Sequence, residues 1–149
     1  MALPRPTFIS SVVYRDQRAA MAWLEKAFGF EVSELLVDGQ DKILHAEMSF
    51  GDGVVMIGSE WFTWTRSPAA VEGMNTQRIH VRIDSDVDAH CARARAAGAV
   101  IVKEPEDQFY GDRTYIARDL DGHHWSFAQA KRAVPSEEIQ RMARAGELA

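Results

Sequence analysis

Polar side chains recur at every second position in three stretches of this sequence that are otherwise rich in β-branched and aromatic residues. These side chains are His45 and Glu47, then Arg78, His80 and Arg82, then His124 and Ser126. Residues two apart share one face of a β-strand, so each stretch predicts a strand with a chemical face. Imidazole nitrogens with a carboxylate suit zinc, iron, nickel or manganese. A guanidinium can instead bind a carboxylate or phosphonate through two parallel hydrogen bonds.

Alternating hydrophobicity and turn residues predict eight strands that position these side chains. The predicted strands cover residues 7–14, 30–37, 43–50, 54–57, 78–83, 99–102, 114–117 and 124–128. Asp16 predicts the start of a helix that ends at Gly29, and Asp86 or Asp88 opens a second helix that ends at Gly98. A third helix is predicted over 135–147, with Ser136 as its N-cap.

The segment 59–77 shows neither the periodicity of a helix nor that of a strand. It predicts a linker with aromatic anchors. Its aromatic residues are Trp61, Phe62 and Trp64. We favour the interpretation that they pack over the core edge or at a subunit contact. The alternative is that they wall a ligand site.

The order strand, helix and three strands occurs twice. The segment 24–32, LEKAFGFEV, parallels 94–102, ARAAGAVIV, and the turn Asp52-Gly53 parallels Asp121-Gly122. Such a repeat predicts two similar units that share a core. We therefore expect one domain over 1–149, made of modules 6–58 and 77–129 joined by the linker 59–76.

Composition and charge narrow the class of protein. The chain has 149 residues, of which 46% are hydrophobic and 26% charged, and this favours one globular domain in the cytoplasm. The formal charge of -5 argues against nucleic acid, and no stretch is long and apolar enough to predict a membrane span. A single cysteine, Cys91, excludes a thiolate metal cluster and favours a buried helical position. A small molecule is the expected partner.

Four segments then carry a resemblance to a known family. They read RDQRAAMAWLEKAFGF, HAEMSFGDGVVMIGSE, DVDAHCARARAAGA and YGDRTYIARDLDGHHWSF. With the doubled βαβββ order, they resemble the vicinal oxygen chelate superfamily of glyoxalase I, bleomycin-resistance proteins, fosfomycin-resistance enzymes and extradiol dioxygenases. The resemblance covers roughly residues 6–129. It implies an α+β fold in which two paired βαβββ modules curve mixed sheets around a central cavity.

The resemblance also implies where a metal ion is held in metal-dependent members. One His, Glu or Gln ligand stands on each of the first, fourth, fifth and eighth strands. Those positions fall at Ile9, at Met56 (or its neighbour Ile57), at Arg78 and at Ser126. An alkyl chain and a guanidinium cannot ligate, and a thioether suits hard divalent ions poorly. We therefore expect the usual family metal to be absent.

The resemblance and strand parity together predict a polar cavity. Its inward set is Ser11, His45, Glu47, Arg78, His80, Arg82, His124 and Ser126, with Tyr110 and Arg113 near the rim. Buried charges are costly unless they are paired or meet a ligand. The set therefore predicts either a mutually satisfied network beside an ordinary groove or a binding site.

The first functional interpretation is a binding protein without a metal, as bleomycin-resistance proteins are, and usually a homodimer. Arg78 then stands where relatives hold a metal ion and binds an anionic group, with His45, His124 and Ser126 around it. Trp61, Tyr110 and Arg113 would complete the site.

The second interpretation is a lyase, isomerase or dioxygenase that uses a displaced divalent-metal site. His45, Glu47, His80 and His124 would supply zinc, nickel, iron or manganese ligands. A third is metal-free catalysis with Glu47 as base and His80 as acid.

Overall fold

The doubled order predicted from the sequence is present in the computed structural model, which describes residues 5–147. Positions 1–4 and 148–149 of the predicted domain lie outside the described residues. The first module contains β1 Ser10–Tyr14, α1 Gln17–Phe28, β2 Glu31–Val37, β3 Ile43–Phe50 and β4 Gly53–Ser59. The second contains β5 Ile79–Ile83, α2 Val87–Ala96, β6 Val100–Asp107, β7 Asp112–Arg118 and β8 His124–Ala130. Helix α3, Ser136–Ala145, follows.

Each module forms its own four-stranded mixed sheet. The strand orders are β1-β4-β3-β2 and β5-β8-β7-β6, with the first and last strands of each module parallel and the other pairs antiparallel. The predicted α+β class of paired βαβββ modules is therefore confirmed. Within residues 5–147, no helix combines the length and the apolar character that a membrane span requires.

The first helix begins and ends where its sequence signals predict. The side chain of Asp16 accepts a hydrogen bond from the N–H of Ala19 at 3.1 Å. At the other end Gly29 adopts a left-handed φ of 79° and closes the helix through the carbonyl of Glu25. On α2, Asp86 is the N-cap and Cys91 is buried, as expected.

Several details of the predicted elements are wrong. Strand β1 begins at Ser10 rather than at residue 7, and β7 covers Asp112–Arg118 rather than 114–117. Strand β6 runs to Asp107 rather than 102, because it is an outer strand and an outer strand tolerates charged residues and Pro105. The linker contains a short 3-10 helix, Pro68–Val71. Ser136 is the first residue of α3 rather than its N-cap, and Pro135 precedes it without a side-chain cap.

One hydrophobic core serves both modules. Phe28 at the end of α1 packs against Trp125 and Phe127 of β8, with ring centroids 5.8 and 4.8 Å apart. These three rings are at most 1% exposed. Because aromatic rings of both modules fill the same volume, neither module has a separate core.

A buried carboxylate joins the modules at the turn before β8. Asp119 Oδ2 accepts hydrogen bonds from Tyr14 Oη at 2.6 Å and from Trp125 Nε1 at 2.9 Å. Its Oδ1 accepts from the backbone N–H groups of Asp121 and His123 at 3.0 and 2.9 Å. Burial, together with the negative charge of Asp119, raises the pKa of Tyr14. The end of β1 is thereby fixed to the β7–β8 turn.

The two helices also contact each other through their C-terminal ends. The guanidinium of Arg93 on α2 donates to the carbonyls of Glu25 and Lys26 at 2.8 and 2.9 Å. In return, Trp23 Nε1 on α1 donates to the carbonyl of Ala97 at 2.8 Å. Each helix thus gives a side-chain donor to carbonyls at the C-terminal end of the other helix, where internal N–H partners run out.

A buried histidine completes this contact between modules. His90 Nε2 lies 2.8 Å from the carbonyl of Phe28, so this nitrogen carries the proton. Its Nδ1 lies 2.5 Å from Tyr115 Oη and accepts from that hydroxyl. Burial lowers the pKa of His90, because the imidazolium would be poorly solvated there.

Replacing Asp119 should destabilise the fold strongly. In Asp119→Ala, four donors lose their acceptor in the interior, and we expect the free energy of unfolding to fall by roughly 3 kcal/mol. Urea denaturation measures this change. The matched control is Asp52→Ala in the equivalent exposed turn of the first module, which should stay within about 0.5 kcal/mol of wild type. Equal losses in both variants would contradict the assigned role.

His90 should make the fold sensitive to mild acid. Its folded pKa lies below the value of about 6.5 in an unfolded chain, so the unfolded state takes up the proton first as the pH falls. The stabilisation is therefore complete above that pH and is lost below it. Urea denaturation at pH 8 and pH 5.5 should show a smaller loss in His90→Gln than in wild type. Identical losses would refute the contribution of His90.

Candidate functional site

A polar groove lies on one face of the second sheet. Strand register places His80 of β5 beside Ser126 of β8, Ser126 beside Ile116 of β7, and Ile116 beside Lys103 of β6. His80 Nδ1 is 2.7 Å from Ser126 Oγ, a hydrogen-bonding distance. The groove has a volume of about 210 Å³. Alternation along the strands therefore produces the chemical face that the sequence predicts for β5 and β8.

The groove contains four of the residues predicted to bind a ligand or act on it, together with several that were not predicted. Its lining residues are Arg78, His80, Lys103, Glu104, Glu106, Gln108, Tyr110, Thr114, Ile116 and Ser126. The extension of β6 supplies Lys103, Glu104 and Glu106. The sequence does not reveal them, because Pro105 and its charged neighbours conceal a strand. His124 lies in an adjoining recess that shares Arg78 and Ile116.

The first sheet carries a different cluster. Glu34 of β2 is paired in register with Glu47 of β3, and His45 Nε2 lies 3.2 Å from Glu47 Oε1. Arg5, which precedes β1, donates from Nη2 to the same Glu47 oxygen at 2.6 Å. This hydrogen bond, followed by that from His45, lowers the pKa of Glu47 despite its burial. The alternation of side chains along the predicted strands identifies His45 and Glu47 as neighbours. It does not identify Glu34 or Arg5.

The predicted inward residues are therefore divided between the two sheets. His45 and Glu47 meet on the first sheet, whereas His80 and Ser126 meet on the second. The groove that contains His80 is lined by neither His45 nor Glu47. The four-residue metal set and the pair of Glu47 and His80 remain hypotheses.

Two arginines of the predicted set contact carboxylates. Arg113 bonds to Asp88 at 2.9 and 3.0 Å and to Asp107 at 3.1 Å, and these carboxylates raise its pKa. Arg82 lies 3.7 Å from Asp112. Arg78, in contrast, stands exposed just before β5 at one end of the groove.

The aromatic residues of the linker face solvent. Phe62 and Trp64 stack on each other with centroids 4.7 Å apart, and Trp64 is 77% exposed. Trp61, predicted to bind a ligand, is about half exposed and does not line the groove. Trp64 lines a separate recess together with Ser11, Val13 and His123. A contact with another chain and a wall of a ligand site therefore both remain predictions for these aromatic residues.

A second cleft lies between the modules. It has a volume of about 290 Å³, and apolar residues such as Phe30, Phe50, Val81 and Trp125 dominate its lining. Of the predicted set, His80 and Arg82 reach this cleft. Its chemistry suits an apolar group rather than a charged one.

The positions at which metal-dependent members of the resembled family hold an ion do not fit one here. Ile9 and Met56 offer no hard donor atom, and Arg78 is cationic. The hydroxyl of Ser126 is engaged by His80. These four residues therefore provide no site for the family metal.

The comparisons with known proteins establish the family. The sequence model of the Glyoxalase/Bleomycin resistance protein/Dioxygenase superfamily matches residues 8–127. The chain belongs to this superfamily.

Relatives and solved structures agree with this membership. The chain is 35% identical over 141 residues to Rv0887c, an uncharacterized protein of Mycobacterium tuberculosis, covering 91% of this chain and 81% of that one. TioX from Micromonospora sp. ML1 is 35% identical, with a TM-score of 0.67 over 82% of this chain and 96% of its own. TnmS3, an antibiotic binding protein from Streptomyces sp. CB03234, is 22% identical, with a TM-score of 0.65 over 88% of this chain and 99% of its own. The last likeness concerns the fold.

Proposed function

We propose that this protein binds a small organic molecule with an anionic group in the groove of the second sheet, without the usual family metal. The observation that carries the proposal is the row of His80, Ser126 and Lys103 across the sheet, with the exposed guanidinium of Arg78 at its end. A guanidinium binds a carboxylate or phosphonate through two parallel hydrogen bonds, and the imidazole and hydroxyl can orient the rest of the molecule.

Among the predicted arginines, the surrounding charges favour Arg78 as the ligand's main contact. Arg82 and Arg113 already face carboxylates, so their charges are largely compensated. Of the two glutamates that also line the groove, Glu104 and Glu106, the first is paired with Arg95. Tyr110, which is 39% exposed, offers a ring at the mouth of the groove. A ligand with an anionic end and a flat apolar body matches this arrangement. A protein of the same fold is described as antibiotic binding, which supports a small organic ligand as the class.

A thermal-shift screen of small carboxylates and phosphonates tests the site. A ligand at a hundredfold excess over its Kd should raise the Tm by about 5 to 10 °C. Arg78→Gln should abolish that shift. The matched control, Arg18→Gln on α1 of the other module, should retain it. A ligand that shifts the Tm of wild type and Arg78→Gln equally would place binding elsewhere.

We further propose that the protein is a homodimer. Strand β2 is the outer strand of its sheet, and Leu35 and Leu36 are 45% and 54% exposed although they point to opposite faces. Leu44 on the neighbouring strand is 51% exposed. Exposed apolar side chains on an outer strand are typical of a surface that another chain covers.

Sedimentation equilibrium tests this assembly. Wild type should sediment at twice the 16.7 kDa of the chain. Leu36→Lys should shift the protein towards monomer, because a charge would be buried in the contact. Leu120→Lys, at an exposed leucine on the β7–β8 turn, is the control and should leave the mass unchanged. A monomeric wild type would refute the proposal.

The second candidate function is a lyase, isomerase or dioxygenase that depends on a displaced divalent metal. The observation that favours it is the convergence of Glu34, His45 and Glu47 on the first sheet. Assays of isomerisation and ring cleavage on protein loaded with zinc, manganese, iron or nickel distinguish it from a binding protein, because metal retention by itself fits both. Retained metal together with isomerase or ring-cleavage activity would replace the first proposal.

A further inference from the structure

Three metal-ligating side chains converge on the face of the first sheet that Arg5 covers. One ligand atom from each of Glu34, His45 and Glu47 lies within 4.8 Å of the others. The antiparallel register of β2 and β3 brings Glu34 opposite Glu47, and His45 shares the face because it lies two residues before Glu47. The backbone of two paired strands thus fixes all three positions, as a pre-organised site requires.

The cluster already binds a cation within the chain. The Arg5 guanidinium contacts Glu47 Oε1 at 2.6 Å and approaches Glu34 Oε2 at 4.0 Å. Glu47 is 2% exposed, so its carboxylate needs a positive partner. Arg5 is half exposed and lies before β1, outside the sheet. The contact is therefore one that a stronger cation can displace.

We propose that Glu34, His45 and Glu47 form a binding site for a divalent transition-metal ion, which takes the place of the Arg5 guanidinium. One imidazole nitrogen and two carboxylates are ligands that suit zinc, manganese and iron. Donors bound to one zinc ion lie about 3 to 4 Å apart, so side-chain movements of about 1 Å bring the three atoms into range. A divalent ion also carries a higher charge than one guanidinium, so it attracts the two carboxylates more strongly.

This site is separate from both the family positions and the proposed ligand groove. It lies on β2 and β3, whereas the positions implied by the family lie on the first, fourth, fifth and eighth strands. The groove lies on the second sheet. Metal binding and groove binding can therefore fail independently.

Titration of the full chain with Zn²⁺, followed by calorimetry, tests the proposal, and Co²⁺ absorption serves as a second probe. Wild type should bind one ion per chain. Arg5→Gln should bind about tenfold more tightly, because the ion no longer competes with a charge-assisted hydrogen bond. His45→Ala and Glu34→Gln should each weaken binding by at least roughly tenfold.

The matched control is Glu31→Gln, a carboxylate on the same strand, which should bind as wild type does. Circular dichroism checks the fold of every variant, and His45→Gln replaces His45→Ala if the latter unfolds. The proposal is overturned if wild type and Arg5→Gln bind no metal, which would leave an Arg5 ion pair only. It is also overturned if the ligand variants bind as tightly as wild type. Failure of the metal site and failure of the ligand groove are separated by the thermal-shift screen on Glu34→Gln. Because Glu34 does not line the groove, this variant should still bind the groove ligand.

Discussion

The buried carboxylate of Asp119 is the interaction on which the arrangement of the two modules depends. Its two oxygens take four hydrogen bonds, from the Tyr14 hydroxyl, the Trp125 indole and two backbone N–H groups of its own turn. One side chain thereby fixes the end of β1, the start of β8 and the turn between β7 and β8. A buried carboxylate with every lone pair engaged has a unique geometry, because any displacement leaves a donor unpaired in the interior. The aromatic core around Phe28 then fills the space that this fixed geometry defines.

The two sheets of the repeat carry different polar clusters. On the first sheet, Glu34 and Glu47 create a negative face whose resident cation is Arg5. On the second sheet, Arg78 and Lys103 line the groove together with His80, Ser126, Glu104 and Glu106. A duplicated backbone can thus carry two different polar clusters, because strand alternation fixes where side chains point and not what they are.

Much of the fold follows from local signals. Asp16 and Gly29 mark the ends of α1, and alternation in 43–50 predicts β3 with correct bounds. The repeat together with the family resemblance predicts both modules. The largest failures concern an outer strand and a linker: Pro105 conceals the second half of β6, and Pro68 begins a short 3-10 helix. An outer strand needs hydrogen bonds on one side only, so its sequence can contain residues that normally argue against a strand.

The sequence by itself determined which side chains share a strand face, because that relation depends on parity along one chain. It correctly paired His45 with Glu47, and the structure adds that His80 pairs with Ser126 through strand register. Only the tertiary structure decided which faces meet. It brought Arg5 from the N-terminal segment onto Glu47 and kept Glu47 away from the His80 groove. The physical reason is that each module closes its own sheet, so contacts between sheets depend on packing and buried hydrogen bonds between distant residues. No local pattern in the sequence encodes those contacts.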